Sequence, residues 1–354
     1  MSQKIALIMA GGTGGHIFPG LAVAHALRER GWQVHWLGAP ASMEARLVPP
    51  QGFALETIDF SGVRGKGIKT LALLPWRLLK ALAQALAVVR RVQPDVVVGL
   101  GGYISFPGGI EARLAGKPLV LHEQNSVPGM ANKLLAHMAA QVFTAFPKVF
   151  AQGHWVGNPL RVAFLQQPEP AQRFAGRSGR LRLLVVGGSL GAKALNEVVP
   201  QALALLPQGQ RPIVTHQSGT AQIEALQQNY AAAGVQATLT PFIDDTAQAF
   251  ADADIIVCRA GASTVTEIAA IGAAAIFVPF PAAVDDHQTA NARFLVDAGA
   301  AWLLPQPELS AQTLAKMLQT LDRPALLQRA IQAKKMQKTE ATLMVVSACE
   351  ALLA

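Results

Sequence analysis

The sequence predicts an α/β protein built as two Rossmann-like, doubly wound parallel sheets facing across a cleft. Three observations lead there. Short apolar runs of four or five residues, each ending at turn residues, alternate with helical patterns along the chain, as in β-α units whose strands are covered on both faces. The second half repeats the plan of the first: KIALIMAGGTGGH from Lys4 is answered by LRLLVVGGSLGA from Leu181, DVVVGLGGY from Asp95 by DIIVCRAGAST from Asp254, and GKPLVLHEQN from Gly116 by GAAAIFVPFP from Gly272. Finally, 354 residues, 51% hydrophobic and 15% charged, suffice for two ordinary domains with large cores.

The first element is a strand, Ile5–Met9, stopped by four glycines in five residues with Thr13 and His16 among and after them. A strand-to-helix turn crowded with glycine lets a ligand touch bare backbone, and the helix start adds unpaired N–H groups and a positive dipole end. Two common phosphate motifs fail on spacing. G-x-G-x-x-G counted from Gly12 ends at Ile17, and the next strand, Val34–Leu37, ends in Gly38 and Ala39 with no acid for a ribose. No lysine follows in the Walker position. The turn is therefore of another phosphate type, or a tight turn without a ligand.

Between residues 60 and 94 stand seven basic residues and no acid: Arg64, Lys66, Lys69, Arg77, Lys80, Arg90 and Arg91. Pro75 opens a helix. Leu78, Leu79, Leu82, Leu86 and Val89 share one face of it, Arg77, Lys80, Gln84 and Arg91 another, and Trp76 suits an interface. Such a stripe fits attachment to anionic lipid through residues 64–91; it equally fits a helix packed on a sheet. Overall, residues 1–161 hold 16 Lys/Arg against 7 Asp/Glu, and residues 162–354 hold 14 against 15. The basic half could meet nucleic acid, anionic membrane or a phosphorylated substrate. With two tyrosines and no recognisable binding module, nucleic acid is the poorest fit.

The strands at 95 and 119 follow, and the join falls after Gly157-Asn158-Pro159; the Pro-, Gln- and Gly-rich stretch 166–180 reads as a linker. The domains expected are 1–161 and 162–339, with a last helix, 340–354. Every glycine turn follows a strand, at the carboxyl edge where open α/β sheets bind ligands. Asp252-Ala253-Asp254 looks like a metal-binding D-x-D but precedes its strand, at the wrong edge. His122-Glu123 lacks the second histidine of a zinc helix, since Ser126 stands there. Cys258 and Cys349 are the only cysteines, which suits a reducing compartment. Glycines break the first apolar stretch after Met9, unlike a signal peptide, and no charge-free run reaches a membrane span of about 18 residues.

Read in order, GGTGGH at 11–16, GGYISFPG at 101–108, HEQN at 122–125, GNP at 157–159, GGSLGA at 187–192, RAGASTVTE at 259–267 and DDHQTANA at 285–292 resemble the peptidoglycan N-acetylglucosaminyltransferases, a glycosyltransferase family 28 group of the GT-B fold. The likeness spans nearly the whole chain. It implies an inverting transfer of GlcNAc from UDP-GlcNAc to undecaprenyl-pyrophosphoryl-MurNAc-pentapeptide (lipid I), giving lipid II. It implies a peripheral protein at the cytoplasmic face of the bacterial inner membrane, with other cell-wall synthesis proteins as partners. No metal or other cofactor is obligatory in this reading, though Mg²⁺ could stimulate.

The resemblance places the nucleotide on the C-terminal domain. Ser189 would bond a donor phosphate; Ala262, Ser263, Thr264, Val265 and Thr266 would bring a helix start to the diphosphate; Glu267 would take the ribose hydroxyls; Ile243 would meet uracil through its main chain; and Gln288 would meet the GlcNAc hydroxyls. Ser189 could instead only cap its helix, Glu267 only favour the dipole, and Gln288 and Asn291 only be helix-start polar residues. From the N-terminal side, Asn125 suits sugar contact, Arg161 could reach the nucleotide, and Thr13, Gly14 and Gly15 would approach donor sugar and acceptor pyrophosphate. His16 is the first candidate for the base, since an imidazole of pKa ~6.5 can take the acceptor proton; it could also only orient substrate. His122 and Glu123 are weaker candidates. Two other readings stand beside this one: a UDP-GlcNAc 2-epimerase, which would not need the basic apolar stretch, and a sugar-nucleotide-binding regulator without turnover.

Overall fold

The computed structural model describes residues 3–62, 73–188 and 191–353. They fall into two compact units, Met1–Arg161 with Lys338–Ala354, and Val162–Gln337. In the first, seven parallel strands run in the order β3-β2-β1-β4-β5-β6-β7: β1 (Ile5–Met9), β2 (Gln33–Gly38), β3 (Ala54–Thr57), β4 (Val96–Gly99), β5 (Leu119–Glu123), β6 (Gln141–Thr144) and β7 (His154–Trp155). In the second, six parallel strands run in the order β10-β9-β8-β11-β12-β13: β8 (Arg182–Val186), β9 (Ile213–Gln217), β10 (Thr238–Thr240), β11 (Ile255–Cys258), β12 (Ala275–Phe277) and β13 (Ala301–Leu303).

Central strands such as β4 and β11 are buried at every residue, which is why they read as unbroken apolar runs rather than alternating ones. In each sheet the strand order reverses once, between β1 and β4 and between β8 and β11. At such a switch point neighbouring loops diverge and leave a crevice beyond the carboxyl ends of the strands. The reversal sets the turn after β1 beside the turn after β4, and the turn after β8 beside the turn after β11.

The opposite edge carries the internal repeat to atomic detail. Asp95 Oδ2 accepts from Ile5 N at 2.7 Å, and Asp254 Oδ2 accepts from Arg182 N at 2.9 Å. Asp254 is buried and also meets Arg177 at 2.7 Å and Arg323 at 3.1 Å. Its charge is thus matched inside the protein, at the edge away from the glycine turns.

The last helix, Ala341–Ala351, buries Ala341, Val345, Val346 and Cys349 in the core of the first unit. The helix Leu74–Val92 packs through Ala81, Ala85, Val88, Val89 and Val92. That face differs from the leucine stripe read in the sequence. Leu79 is 63% exposed and Trp76 71%, so packing on the sheet accounts for Val89 but not for these two. Two of the basic residues are paired, Lys80 with Asp59 at 2.6 Å and Arg91 with Glu56. Arg64, Lys66 and Lys69 lie outside the described residues.

Two histidines are held neutral in the interior. Burial pushes His122 down to about 4 and His216 down to about 3. His216 sits between the Tyr230 hydroxyl at 3.0 Å and Asn196 Oδ1 at 3.1 Å. Because both native pKa values lie below the unfolded ~6.5, the unfolded chain holds more protons between about pH 6.5 and 4. Stability therefore rises with pH across that window and is lost on acidification, by ~1.4 kcal/mol per pH unit for each histidine. Urea unfolding of His216→Gln between pH 6 and 4.5 is expected to show a pH slope smaller by about that amount; an unchanged slope would place His216 protonated in the native state.

Candidate active site

The first glycine turn is fixed by side chains from three elements. Met9 O accepts from Ser105 Oγ at 3.0 Å, Ala10 O from Trp36 Nε1 at 2.9 Å, and Gly12 N donates to Glu44 Oε2 at 3.2 Å. Glu44 is fully buried and its other oxygen takes Ala39 N at 3.1 Å. Gly12 thus spends its amide on a carboxylate beneath the turn. The helix Gly14–Glu29 then begins with Thr13 as an extended N-cap that makes no side-chain cap bond. The main chain of Thr13, Gly14 and Gly15 is the part of the turn a ligand would meet.

His16 stands in the first turn of this helix, half-buried, with Nδ1 2.8 Å from Gln124 Oε1. Gln124 Nε2 lies 3.1 Å from His122 Nδ1, and His122 Nε2 lies 2.8 Å from Gly157 O. Gly101, at the end of β4, has φ +92° and passes so close that a Cβ there would lie 3.0 Å from His16 Nδ1 and Cε1. Only glycine lets the β4 turn reach the imidazole in that conformation.

Of the two weaker base candidates, neither is placed to act. Glu123 is buried with both oxygens occupied: Oε1 by Asn125 N at 2.9 Å and Asn125 Nδ2 at 3.3 Å, Oε2 by Gly129 N at 3.1 Å and Asn132 Nδ2 at 2.9 Å. His122 is fully buried. Asn125 is half-buried beside Glu123. Arg161 lies over the Phe18 ring, 5.5 Å from its centroid, which brings it to the same end of the helix as His16.

In the second unit the turn after β8 is pinned by Gln217, whose Oε1 accepts from Gly188 N at 3.1 Å while its Nε2 donates to Gly188 O at 3.0 Å. Ser189 lies outside the described residues. Beside this turn, after β11, the helix Ala262–Ile271 starts at Gly261, again with no side-chain cap. The first three amides of a helix have no intrahelical partner, so Ala262, Ser263 and Thr264 are the donors here. Ser263 Oγ is buried and makes no hydrogen bond among the described residues. Val265 is fully buried and its N–H already bonds Gly261 O at 3.0 Å, while Thr266 Oγ1 turns back to Ala262 O at 3.0 Å. The Val265 N–H and the Thr266 hydroxyl are thus bonded within the helix start, and Glu267 follows half-buried.

Ile243 is half-buried and its carbonyl accepts from Thr246 Oγ1 at 3.3 Å. Gln288 Oε1 accepts from Phe280 N at 2.9 Å, so its NH₂ group is what it offers a ligand. Asn291 is fully buried and donates to Ala260 O at 3.3 Å, a tie between the helix His287–Val296 and the turn after β11. Asp285 and Asp286 before that helix both take left-handed backbone conformations, φ 52° and 49°. Strain of this kind in a non-glycine pair gathers at functional segments. Among the described residues no group of three or more His, Cys, Asp or Glu is placed to hold a metal ion.

Sequence reading missed Gln124, Glu44 and Gly101. Gln124 lies within the HEQN motif, but a neutral amide between two histidines at 122 and 16 has no sequence signal.

Two doubly wound parallel-sheet units, each with an uncapped helix start at its switch point, are the architecture of the GT-B class of glycosyltransferases. The chain belongs to glycosyltransferase family 28: the N-terminal domain profile matches residues 6–144 and the C-terminal domain profile residues 182–345. It is 74% identical over 351 residues, 99% of both chains, to the UDP-N-acetylglucosamine--N-acetylmuramyl-(pentapeptide) pyrophosphoryl-undecaprenol N-acetylglucosamine transferase of Paracidovorax citrulli (strain AAC00-1). The protein of the same name from Polaromonas sp. (strain JS666 / ATCC BAA-500) is 72% identical, covering 99% of this chain and 92% of its own. The crystal structure of Acinetobacter baumannii MurG superposes with a TM-score of 0.86 at 43% identity, covering 98% of this chain and 99% of that one.

Proposed function

We infer that the chain is the N-acetylglucosaminyltransferase that moves GlcNAc from UDP-GlcNAc to the muramyl sugar of lipid I, giving lipid II. The observation that carries this reading is the 74% identity, end to end, with a transferase of that name. The first unit is the acceptor and membrane domain, the second the UDP-GlcNAc domain.

In the reaction, His16 Nε2 takes the proton of the acceptor hydroxyl as its oxygen bonds the anomeric carbon of GlcNAc. The bond from that carbon to the diphosphate breaks on the opposite face, and UDP leaves with the electron pair, so the configuration inverts. The leaving diphosphate gains charge. The N–H groups of Ala262, Ser263 and Thr264, the Ser263 hydroxyl and Ser189 receive it, with Arg161 as a cation. Glu267 accepts from the ribose hydroxyls, the Ile243 main chain meets uracil, and Gln288 and Asn125 meet the sugar. Thr13, Gly14 and Gly15 take the acceptor pyrophosphate. Helix N-termini and an arginine can carry this charge without an obligatory metal, and Mg²⁺ can add to it.

Labelled UDP-GlcNAc incubated with a lipid I analogue is expected to give labelled lipid product. Conversion of the donor to its 2-epimer, or binding without turnover, would replace this reading with one of the two alternatives.

The exposed Leu73, Trp76 and Leu79 at the start of the helix Leu74–Val92, which follow Arg64, Lys66 and Lys69 in sequence, support docking on an anionic membrane surface, in keeping with a peripheral enzyme of the cytoplasmic face of the inner membrane. Trp76→Ser with Leu79→Ser is expected to weaken binding to phosphatidylglycerol vesicles about tenfold or more while turnover of a water-soluble acceptor is retained. Equal vesicle binding would remove this helix from the membrane contact.

A further inference from the structure

We propose that Gln124 and His122 are positioning residues that fix the tautomer of His16, presenting Nε2 as a bare lone pair. The inference rests on His16 being the base, and it deepens that reading by saying why this imidazole is ready to accept a proton.

The chain of assignments starts at a group with no choice. Gly157 O is a carbonyl and can only accept, so His122 Nε2, at 2.8 Å, carries a proton. His122 is fully buried, and burial holds it neutral, down to about 4. A neutral imidazole has one N–H, so His122 Nδ1 is an acceptor. Gln124, 3.1 Å away, must turn its NH₂ group toward it. That amide also donates to His122 O at 3.1 Å, and Gln124 is itself buried, so it has no solvent to relax into. Its oxygen therefore faces His16 Nδ1 at 2.8 Å. An amide oxygen only accepts, so Nδ1 carries the proton and Nε2 does not.

The last contact also survives the reaction. When Nε2 takes a proton, Nδ1–H still donates to the same oxygen, so no group in the chain has to turn. A carboxylate in the place of Gln124 would orient the ring as well, as in the serine hydrolase triad, but would add a charge beside His122 in a buried site. The amide orients without that charge.

The test is a spectroscopic one with a kinetic companion. The protein has 8 histidines, and ¹⁵N labelling of the rings with His16→Gln as the assignment control isolates the His16 signals. At pH 8 the full-length enzyme is expected to show His16 as the Nδ1–H form. Gln124→Leu is expected to shift it toward Nε2–H and to lower kcat about 10–100-fold with the KM for UDP-GlcNAc nearly unchanged. Gln124→Glu, which keeps an oxygen for the Nδ1 proton, is expected to recover part of the rate. An Nε2–H form in the unsubstituted enzyme overturns the proposal, whether or not the variants fold. So does a Gln124→Leu protein with the His16 tautomer unmoved, or equal rates for the Leu and Glu variants. Full activity of His16→Ala would remove the base while leaving the tautomer measurement intact, so the two failures are separable.

Discussion

His16→Ala is expected to lower turnover by about 10²–10⁴-fold, the range for loss of a general base, with the KM for UDP-GlcNAc changed only a few-fold. The split follows from placement. His16 lies in the first unit with its Nδ1 held by Gln124 at 2.8 Å, whereas the nucleotide is assigned to main-chain amides of the second. A side chain that touches only the acceptor hydroxyl contributes to the barrier and little to donor binding. The measurement is a single-turnover rate with labelled UDP-GlcNAc and a lipid I analogue. Thermal unfolding checks the fold, because Gln124 Oε1 loses its partner. A rate within about threefold of the unsubstituted enzyme would assign the proton to another acceptor. Glu123 would not be the natural replacement, since four donors already occupy its oxygens.

The second large effect is expected at Gly191. Its φ is +76°, and a Cβ there would overlap the backbone carbonyl oxygen of Ser218. The carbonyl cannot step aside, because Asn196 Nδ2 donates to it at 3.1 Å and Asn196 is itself locked by His216 and by Gln222 at 2.9 Å. Gly191→Ala therefore combines left-handed strain with an overlap that only movement of the turn after β8 can relieve, about 2–4 kcal/mol in all. The melting temperature is expected to fall by roughly 5–15 °C and UDP-GlcNAc affinity to drop about tenfold or more, as the turn swings from the helix start at Ala262. Gly188→Ala is the control. Its φ is +83° but no atom of the described residues beyond its chain neighbours lies within 4 Å of the added Cβ, so the effect on melting is expected to be about a third as large. Equal behaviour of the two variants would mean that the packing of the turn on Ser218 does not hold the donor.

Much of the fold was legible because its signals are local. Unbroken apolar runs such as Val96–Val98 and Ile255–Val257 mark strands covered on both faces, and a glycine turn marks where each hands over to a helix. The candidate site was legible where backbone conformation leaves a trace in composition, as in GGTGGH and RAGAST. It was not legible where a side chain's task depends on a partner distant in sequence. Gln124 lies 108 residues from His16 and Gly157 lies 35 from His122. Glu44 lies 32 from the glycine whose amide it holds. None of these pairs has a spacing that periodicity could detect. The helix Leu74–Val92 shows the same limit from another side. Periodicity finds its leucine stripe, but the alanine and valine face is the one that packs, because small side chains allow the closer approach.

The amino-acid sequence by itself determined the class, two parallel α/β domains with glycine turns at the carboxyl edges, because hydrophobic period and glycine placement act over a few residues. Only the tertiary structure decided which groups in those turns remain available to a ligand. It occupies Gly12 N with Glu44, Val265 N with Gly261 and both oxygens of Glu123, and among the described residues it leaves Ser263 Oγ without a partner and His16 aimed by Gln124. The physical reason is that a buried polar group must find its hydrogen bond wherever folding puts one, and what is left over after that matching is what the site can use.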